Sequence, residues 1–458
     1  MKKTIAVLLM SITLFSVLAG CKDPVPSVEK TTNAAETERR GASEEQITID
    51  VTSTFAGEDS NAANFREGIA AWEAATGNTV NDASVISDEA FKARIATDFE
   101  TGAEPDVLFY FTGADANAFI QANKVVSLEE IRKEYPEYAS NMDDTKLVPS
   151  LVDNKLYTVS ANGYWEGLYV NTKVLKDCKI AVPGSDYTWD QFMADCAVIK
   201  EKGYAPVAAA LSSVPHYWWE YSVFNNEKTL TDHPVIPDTM EAAATWISGM
   251  EDIKAMYEAG CFPKNTLSAT DDEIFQLFME DRAAFLLDGS WKVGAIINAC
   301  SAIPDAPATL DTAKLDNFTV TYVPAKGARK ATDLIGGYSM GYYITRKAWE
   351  NPDKRAAAVS FVESMTTDEM VFKFAQNGIG PPKEAPKADE ATMNSLQIKA
   401  LDMVAGATSW TLAVQDLFQS ESRALVFDGI PQIVTGDKSA AAVVKEGIAP
   451  YVKARDEE

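Results

Sequence analysis

Hydrophobic and polar positions alternate in recognisable blocks from residue 46 onward. "QITIDVT" (46–52) alternates apolar and polar positions and is rich in β-branched side chains, which predicts a strand. The spacing then changes. Phe65, Ile69 and Trp72 fall three and four apart, the stripe of a helix running from about Asn61 and stopped by Gly77. "TVNDASV" (79–85) predicts a second strand, and Ser87 is placed to cap a helix through Phe91, Ile95 and Phe99. "PDVLFYF" (105–111) is a short continuous apolar run, the mark of a buried strand. Such β–α–β alternation predicts an α/β fold with parallel strands and helices on both faces.

The pattern continues to the end of the chain. "GLYVN" (167–171) predicts a strand, and Thr188 with Gln191 a capping box for a helix ending at Gly203. Residues 238–259 read as a long helix stopped by Gly260, and "YSMGYYIT" (338–345) as a strand. Asn351 as N-cap with Pro352 at N1 starts another helix, Thr366 and Glu369 box a further one, and the stretch from Asp389 is mostly helical. No internal repeat is evident.

The first 45 residues differ in kind. Lys2 and Lys3 precede an uncharged run from Ile5 to Leu18 and then Ala19-Gly20-Cys21. That run is too short to cross a bilayer and has the layout of an export signal. Leu18-Ala19-Gly20-Cys21 resembles the bacterial lipobox, which implies cleavage before Cys21, a diacylglyceryl group on its sulfur, and a place on the outer side of the cell membrane. Residues 1–20 are then a signal peptide. Residues 21–45, charged and nearly without apolar side chains, are a flexible tether reaching roughly 25–30 Å.

Charge narrows the partners. The formal net charge of the 458 residues is −26, and loss of Lys2 and Lys3 makes it two units more negative. Such a body repels nucleic acid and anionic lipid heads, and it does not suit a polyanionic ligand. Besides Cys21 there are four cysteines, Cys178, Cys196, Cys261 and Cys300, whose spacing fits no metal motif. In an exported chain they could pair, and the local pairing is Cys178 with Cys196 and Cys261 with Cys300.

Catalytic motifs find little support. "GYSMG" places Ser339 in a G-x-S-x-G pattern, but the triad order needs a later histidine, and His216 and His233 both come earlier. Phosphate-loop, dinucleotide and H-E-x-x-H patterns are absent, so no metal and no cofactor is expected. Paired carboxylates remain available among the 67 acidic residues.

Several stretches gain meaning from their order. "KLYTVSANGYWEGLYVNTKVL" precedes "YTWDQFMADCAVIKEKGYAPV", then come "FMEDRAAFLLDGSWKVGAI", "YVPAKGARKATDLIGGYSMGYYIT" with its A-A-x-x-S-F-V helix, and "NGIGPPKEAP". This succession resembles the extracellular solute-binding proteins of ABC importers, in the family that includes the maltose-binding proteins, over nearly all of residues 46–458. The resemblance implies a two-lobe periplasmic-binding-protein fold (type II), each lobe a mostly parallel sheet flanked by helices. The chain would cross between lobes near 163–165, 335 and 380, giving lobe one as 46–163 plus 335–380 and lobe two as 164–334 plus 381–458. It further implies a monomeric receptor, not an enzyme, that closes on a sugar or oligosaccharide and delivers it to membrane permease subunits. A surface glycosidase, or a binding protein feeding a sensor kinase, stays open as an alternative.

The same resemblance selects candidate binding residues. Trp291 in "DGSW" matches the family's G-x-W tryptophan, which stacks on sugar at a helix start. "PHYWWEY" (215–221) opens a helix in which Tyr217, Tyr221 and Phe224 form one stripe and Trp219 and Val223 another, so most of it is expected in the core. His216, at the helix entrance, is the part expected to face the ligand, followed by Tyr217 or Trp218. The loop after the first strand offers Glu58 and Asp59, and the loop after "PDVLFYF" offers Tyr110, Thr112 and Asp115. The hinge offers Tyr164, Trp165 and Glu166, the Gly-Gly strand Tyr338, and the helical tail Trp410.

Overall fold

The computed structural model describes residues 46–57, 59–228, 235–304, 306–376 and 390–457. The signal, the lipobox with Cys21, the tether, Glu58, His233 and the crossing expected near residue 380 lie outside the described residues.

Two sheets organise the body. The first has the order β2-β1-β3-β9, from strands β1 (Thr48–Thr52), β2 (Thr79–Asp82), β3 (Val107–Phe111) and β9 (Met340–Ile344). β1 runs parallel to β2 and β3, and β9 runs against β3 with Phe111 opposite Met340. The second sheet contains β4 (Tyr164–Asn171), β5 (Ala205–Ala208), β6 (Ala283–Gly289), β7 (Phe318–Thr321), β8 (Asp333–Gly337) and β10 (Ser409–Thr411). β4 is its axis. One edge pairs with β6, while the other is shared between β8 at Tyr164–Trp165 and β7 from Leu168. All three run antiparallel to β4, so this sheet is mixed rather than mostly parallel; β5–β6 and β8–β10 are its parallel pairs.

The local chemistry explains most boundaries. Asn61 precedes the helix Ala62–Thr76, and Gly77 ends it in the left-handed conformation at φ 75°. Thr188 and Gln191 close a capping box on Trp189–Glu201. Asn351 caps Pro352–Met365 with proline at N1. Two caps fall one residue later than expected. Asp88, not Ser87, accepts the Phe91 N–H, and Thr367, not Thr366, accepts that of Met370. Thr366 instead hydrogen-bonds back to the Val362 carbonyl and belongs to the preceding helix. The long helix starts at Ala244, not near 238, and Trp410 sits in β10 rather than in a helix.

The helix His216–Asn226 buries every residue from Tyr217 to Asn225. It lies in the largest core cluster, between the second sheet and the helices Ala244–Ala259 and Ser420–Thr435. A separate cluster packs one face of the first sheet, with Trp72, Phe361 and Tyr342 at its centre.

Candidate functional site

In an open sheet the carboxyl ends of parallel strands leave a crevice where loops can converge. Loop 53–61 follows β1 and loop 112–116 follows β3, at one end of the first sheet. Tyr338 joins β8 to β9 at that same end, because β9 is antiparallel to β3. In the second sheet, β6 ends at Gly289 opposite Glu166 of β4, and Ser290 and Trp291 lead into the helix Lys292–Ala299. The two groups of loops touch. A Cβ on Gly294 would lie 2.5 Å from the Ser60 Cα, and one on Gly113 would collide with the Asp416 carbonyl. Only glycine permits both approaches.

Three aromatic rings gather at the second-sheet side. Trp291 is half-buried. Its ring lies 6.4 Å from that of Tyr164, inclined 27°, and 6.2 Å from that of Tyr217, inclined 40°. It folds back over Gly289, which has no side chain to obstruct it, and hydrogen-bonds the Asp288 carboxyl. The Tyr164 hydroxyl accepts the Ala413 N–H at 3.1 Å. Trp291 is thus held along one edge and keeps part of its surface open. His216 begins its helix with its ring 4.1 Å from that of Tyr217 and stacked on Phe427 at 5.5 Å. Burial, with the nearby Lys92 and Arg423 charges, pushes its pKa down to about 3, so the imidazole is neutral.

Acidic groups surround these rings. Asp59 caps its own turn, accepting the Asn61 N–H at 2.8 Å, and burial raises its pKa to about 7. Four more carboxyls are almost fully buried: Glu166, Glu220, Asp288 and Asp416. Burial lifts Glu220 to about 8 although it accepts N–H groups of Val414 and Gln415 at 2.8 and 3.0 Å. Burial likewise lifts Asp416 and Asp288 to about 6, the latter against the pull of Lys292 at 3.5 Å. Glu166 is raised well above the usual range by burial and then by its acidic neighbours Glu220, Asp416 and Asp288.

A compact ion network spans the loops of the two sheets. Asp115, after β3, accepts from Arg423 at 2.9 and 3.2 Å and lies 3.3 Å from Lys92. Arg423 also donates to Glu89 at 3.0 Å and to the carbonyls of Gln415 and Phe418. Burial opposes ionisation of Asp115, but the Lys92 and Arg423 charges outweigh it and hold the carboxyl below the usual range. Ser339 of the G-x-S-x-G pattern is buried and bonded to Asp416.

The expected site residues therefore separate into two groups. Trp291, Tyr164, Asp59, Asp115 and Tyr338 lie on the loops and strand ends, and His216 and Tyr217 open the helix beside Trp291. Trp165, Tyr110 and Trp218 do not reach an open surface: they are 1, 2 and 3 % exposed and fill three different cores. Trp218 stacks on Phe192 at 5.3 Å, and Tyr110 packs between Phe91 and Phe119. Both are consumed by packing. Thr112 is buried and bonded to the Ser339 carbonyl, while Trp410 is 40 % exposed beside Gly336. Lys92, Glu220, Asp288, Asp416 and Arg423 are absent from the sequence-based expectation. For two of them a signal exists. Arg423 shares the helix stripe of Val426 and Ile430, and Lys92 shares that of Ile95 and Phe99, and a cation on an apolar stripe needs a buried partner.

The family model described as bacterial extracellular solute-binding protein matches residues 56–371. The chain belongs to the bacterial extracellular solute-binding proteins. That membership sets the location as extracellular or periplasmic, and no described helix is long and apolar enough to cross a membrane. No curated protein matches the chain by sequence. Solved solute-binding structures share its fold. A chitin oligosaccharide binding protein is 20 % identical, with 90 % of this chain and 99 % of that one covered at TM-score 0.74. The maltose/maltodextrin-binding domain from Bdellovibrio bacteriovorus, bound to maltotriose, is 16 % identical over 90 and 100 % of the chains, TM-score 0.66. A solute-binding protein in complex with raffinose is 16 % identical over 88 and 98 %, TM-score 0.64.

Proposed function

We propose that this protein is a receptor that closes two lobes around a carbohydrate, a sugar or oligosaccharide, and hands it to the membrane permease of an ABC importer. The observation that carries the reading is the grouping of Trp291, Tyr164 and Tyr217 beside Asp288 and Glu166. Aromatic faces suit the apolar C–H faces of a sugar, and carboxyl oxygens suit its hydroxyls. Solved structures of the same fold hold maltotriose and raffinose. Lobe one is 46–163 with the chain from about Met340, and lobe two begins at Tyr164 and includes the C-terminal helices. The lobe boundary thus falls where β8 hands over to β9. The receptor works as a monomer anchored through lipid on Cys21 and releases its ligand unchanged. Thermal denaturation against a panel of neutral sugars, amino acids and peptides tests this. A ligand at 100 times Kd adds about 2.7 kcal/mol to stability. Stabilisation by a peptide and by no sugar would overturn the ligand class. Shorter sugars appearing in the mixture would overturn a receptor that only binds.

A further inference from the structure

We propose that Cys196 and Cys261 form a disulfide bond in the exported protein. Cys196 and Cys261 lie in the same buried core cluster, close enough that each perturbs the other's ionisation. Their elements are clamped together on either side of the pair. Cys196 lies on the inner face of the helix Trp189–Glu201 with Phe192 and Ile199. One turn further, Lys200 donates to the Ala259 carbonyl at 2.7 Å, at the end of the helix Ala244–Ala259. Cys261 directly follows that helix and its left-handed cap Gly260. Its N–H donates to the Met256 carbonyl at 3.0 Å, and its carbonyl accepts from Val207 of β5 at 2.9 Å. Neither sulfur is placed by a mobile loop. The Cys261–Cys300 pairing is not supported: Cys300 packs in a different core from Cys261.

Chemistry and compartment agree. Thiols persist as disulfides on the outer side of a bacterial membrane. In the folding chain either thiolate can begin the exchange. In one order the Cys261 thiolate attacks the disulfide of a dithiol oxidase or of a small-molecule disulfide, forming a mixed disulfide and releasing one thiolate. Cys196 then gives up its proton and attacks the Cys261 sulfur. The protein S–S bond forms, the oxidant's second thiolate leaves, and two electrons have passed to the oxidant, now a dithiol. Both cysteines are almost fully buried in the finished fold, so this exchange belongs to the folding chain. The loop it closes carries β5 and the helix His216–Asn226, and therefore Tyr217 and His216 of the site.

The inference rests on export, so the test separates the two. Intact cells are treated with protease to establish that the chain is outside. Full-length protein from their membranes is unfolded in iodoacetamide without reductant, digested and weighed. The expected result is one linked peptide joining Cys196 to Cys261, with Cys178 and Cys300 alkylated. Four alkylated thiols in an exported chain, or a link from Cys196 to Cys178, overturns the proposal. If the chain proves to be inside, full-length protein is refolded from urea in a mixture of oxidised and reduced glutathione. Formation of the Cys196–Cys261 link then supports the pairing, and its failure overturns it. Reductant should lower the melting temperature of the wild type and of Cys178→Ala by a few degrees. The double variant Cys196→Ala, Cys261→Ala should melt at one temperature with or without reductant; equal sensitivity in this variant counts against the bond.

Discussion

Replacing Asp115 by alanine should loosen the closed receptor more than it unfolds it. The Asp115 side chain is nearly buried and Arg423 fully so, and they join the segment after β3 to the helix Ser420–Thr435 through contacts of 2.9 and 3.2 Å. Removing one partner of a buried pair strands the other and costs about 3–5 kcal/mol. The low end applies here. Arg423 keeps Glu89 and two backbone carbonyls, and Lys92 keeps Glu89 at 3.2 Å. In an open receptor both Asp115 and Arg423 would face water, where an exposed pair is worth about 0–1 kcal/mol. Most of the loss therefore falls on closure. A loss of about 3 kcal/mol shifts the closed-to-open ratio about a hundredfold. Calorimetry with the cognate sugar should show Kd raised by up to that factor. Small-angle scattering of the variant should show a larger radius at ligand concentrations that close the wild type. A variant that binds and scatters like the wild type but melts several degrees lower would refute the reasoning, because the network would then lie within one rigid body.

Trp291→Ala should cost roughly 2 kcal/mol or more of binding, about 30-fold in Kd, with a small change in the ligand-free melt. A loss of 3–5 kcal/mol of stability with normal binding would instead make Trp291 a core residue. Stability should fall as pH rises from about 6.5 to 8. In that range Asp59 and Glu220, raised to about 7 and 8, lose protons in the folded state that they have already lost when unfolded. His216 acts oppositely, since its pKa is lowered to about 3, but it loses its influence above its ordinary 6.5. Melts at pH 6.5 and 8 check the sign, and Glu220→Gln should flatten the difference; a higher melting temperature at pH 8 would contradict it. Cys21→Ala should yield a protein that leaves the membrane fraction and binds the same sugar with the same Kd, since residues 22–45 carry almost no apolar side chains to contribute; loss of binding would draw residues before Gln46 into the fold.

Local chemistry was legible in the sequence wherever one residue decides the outcome. Gly77, Gly260, Asn351-Pro352 and the Thr188–Gln191 box fall where their backbone preferences put them. The two displaced caps fail for the same local reason. Ser87 and Asp88 both offer an acceptor, and the extended backbone at Asp88 decides between them. Tyr164–Glu166, expected at a crossing between lobes, begin β4, because Tyr164 and Trp165 pair with β8, a partner about 170 residues away that periodicity does not reveal. The same holds for the site. The helical stripes through "PHYWWEY" marked it as mostly core without any knowledge of its neighbours. The network of Asp115 and Arg423 joins residues 308 apart, and the position of Trp218 or Tyr110 depends on which face meets a distant core.

That separation along the chain bears on how the protein is made. Asp115 and Lys92 emerge early in synthesis, whereas Asp416, Arg423 and Phe427 come from the last tenth of the polypeptide. A nascent chain without that last tenth lacks the guanidinium that pairs with Asp115 and the ring on which His216 rests. A product truncated before Arg423 keeps a charged Asp115–Lys92 pair with no guanidinium to complete it.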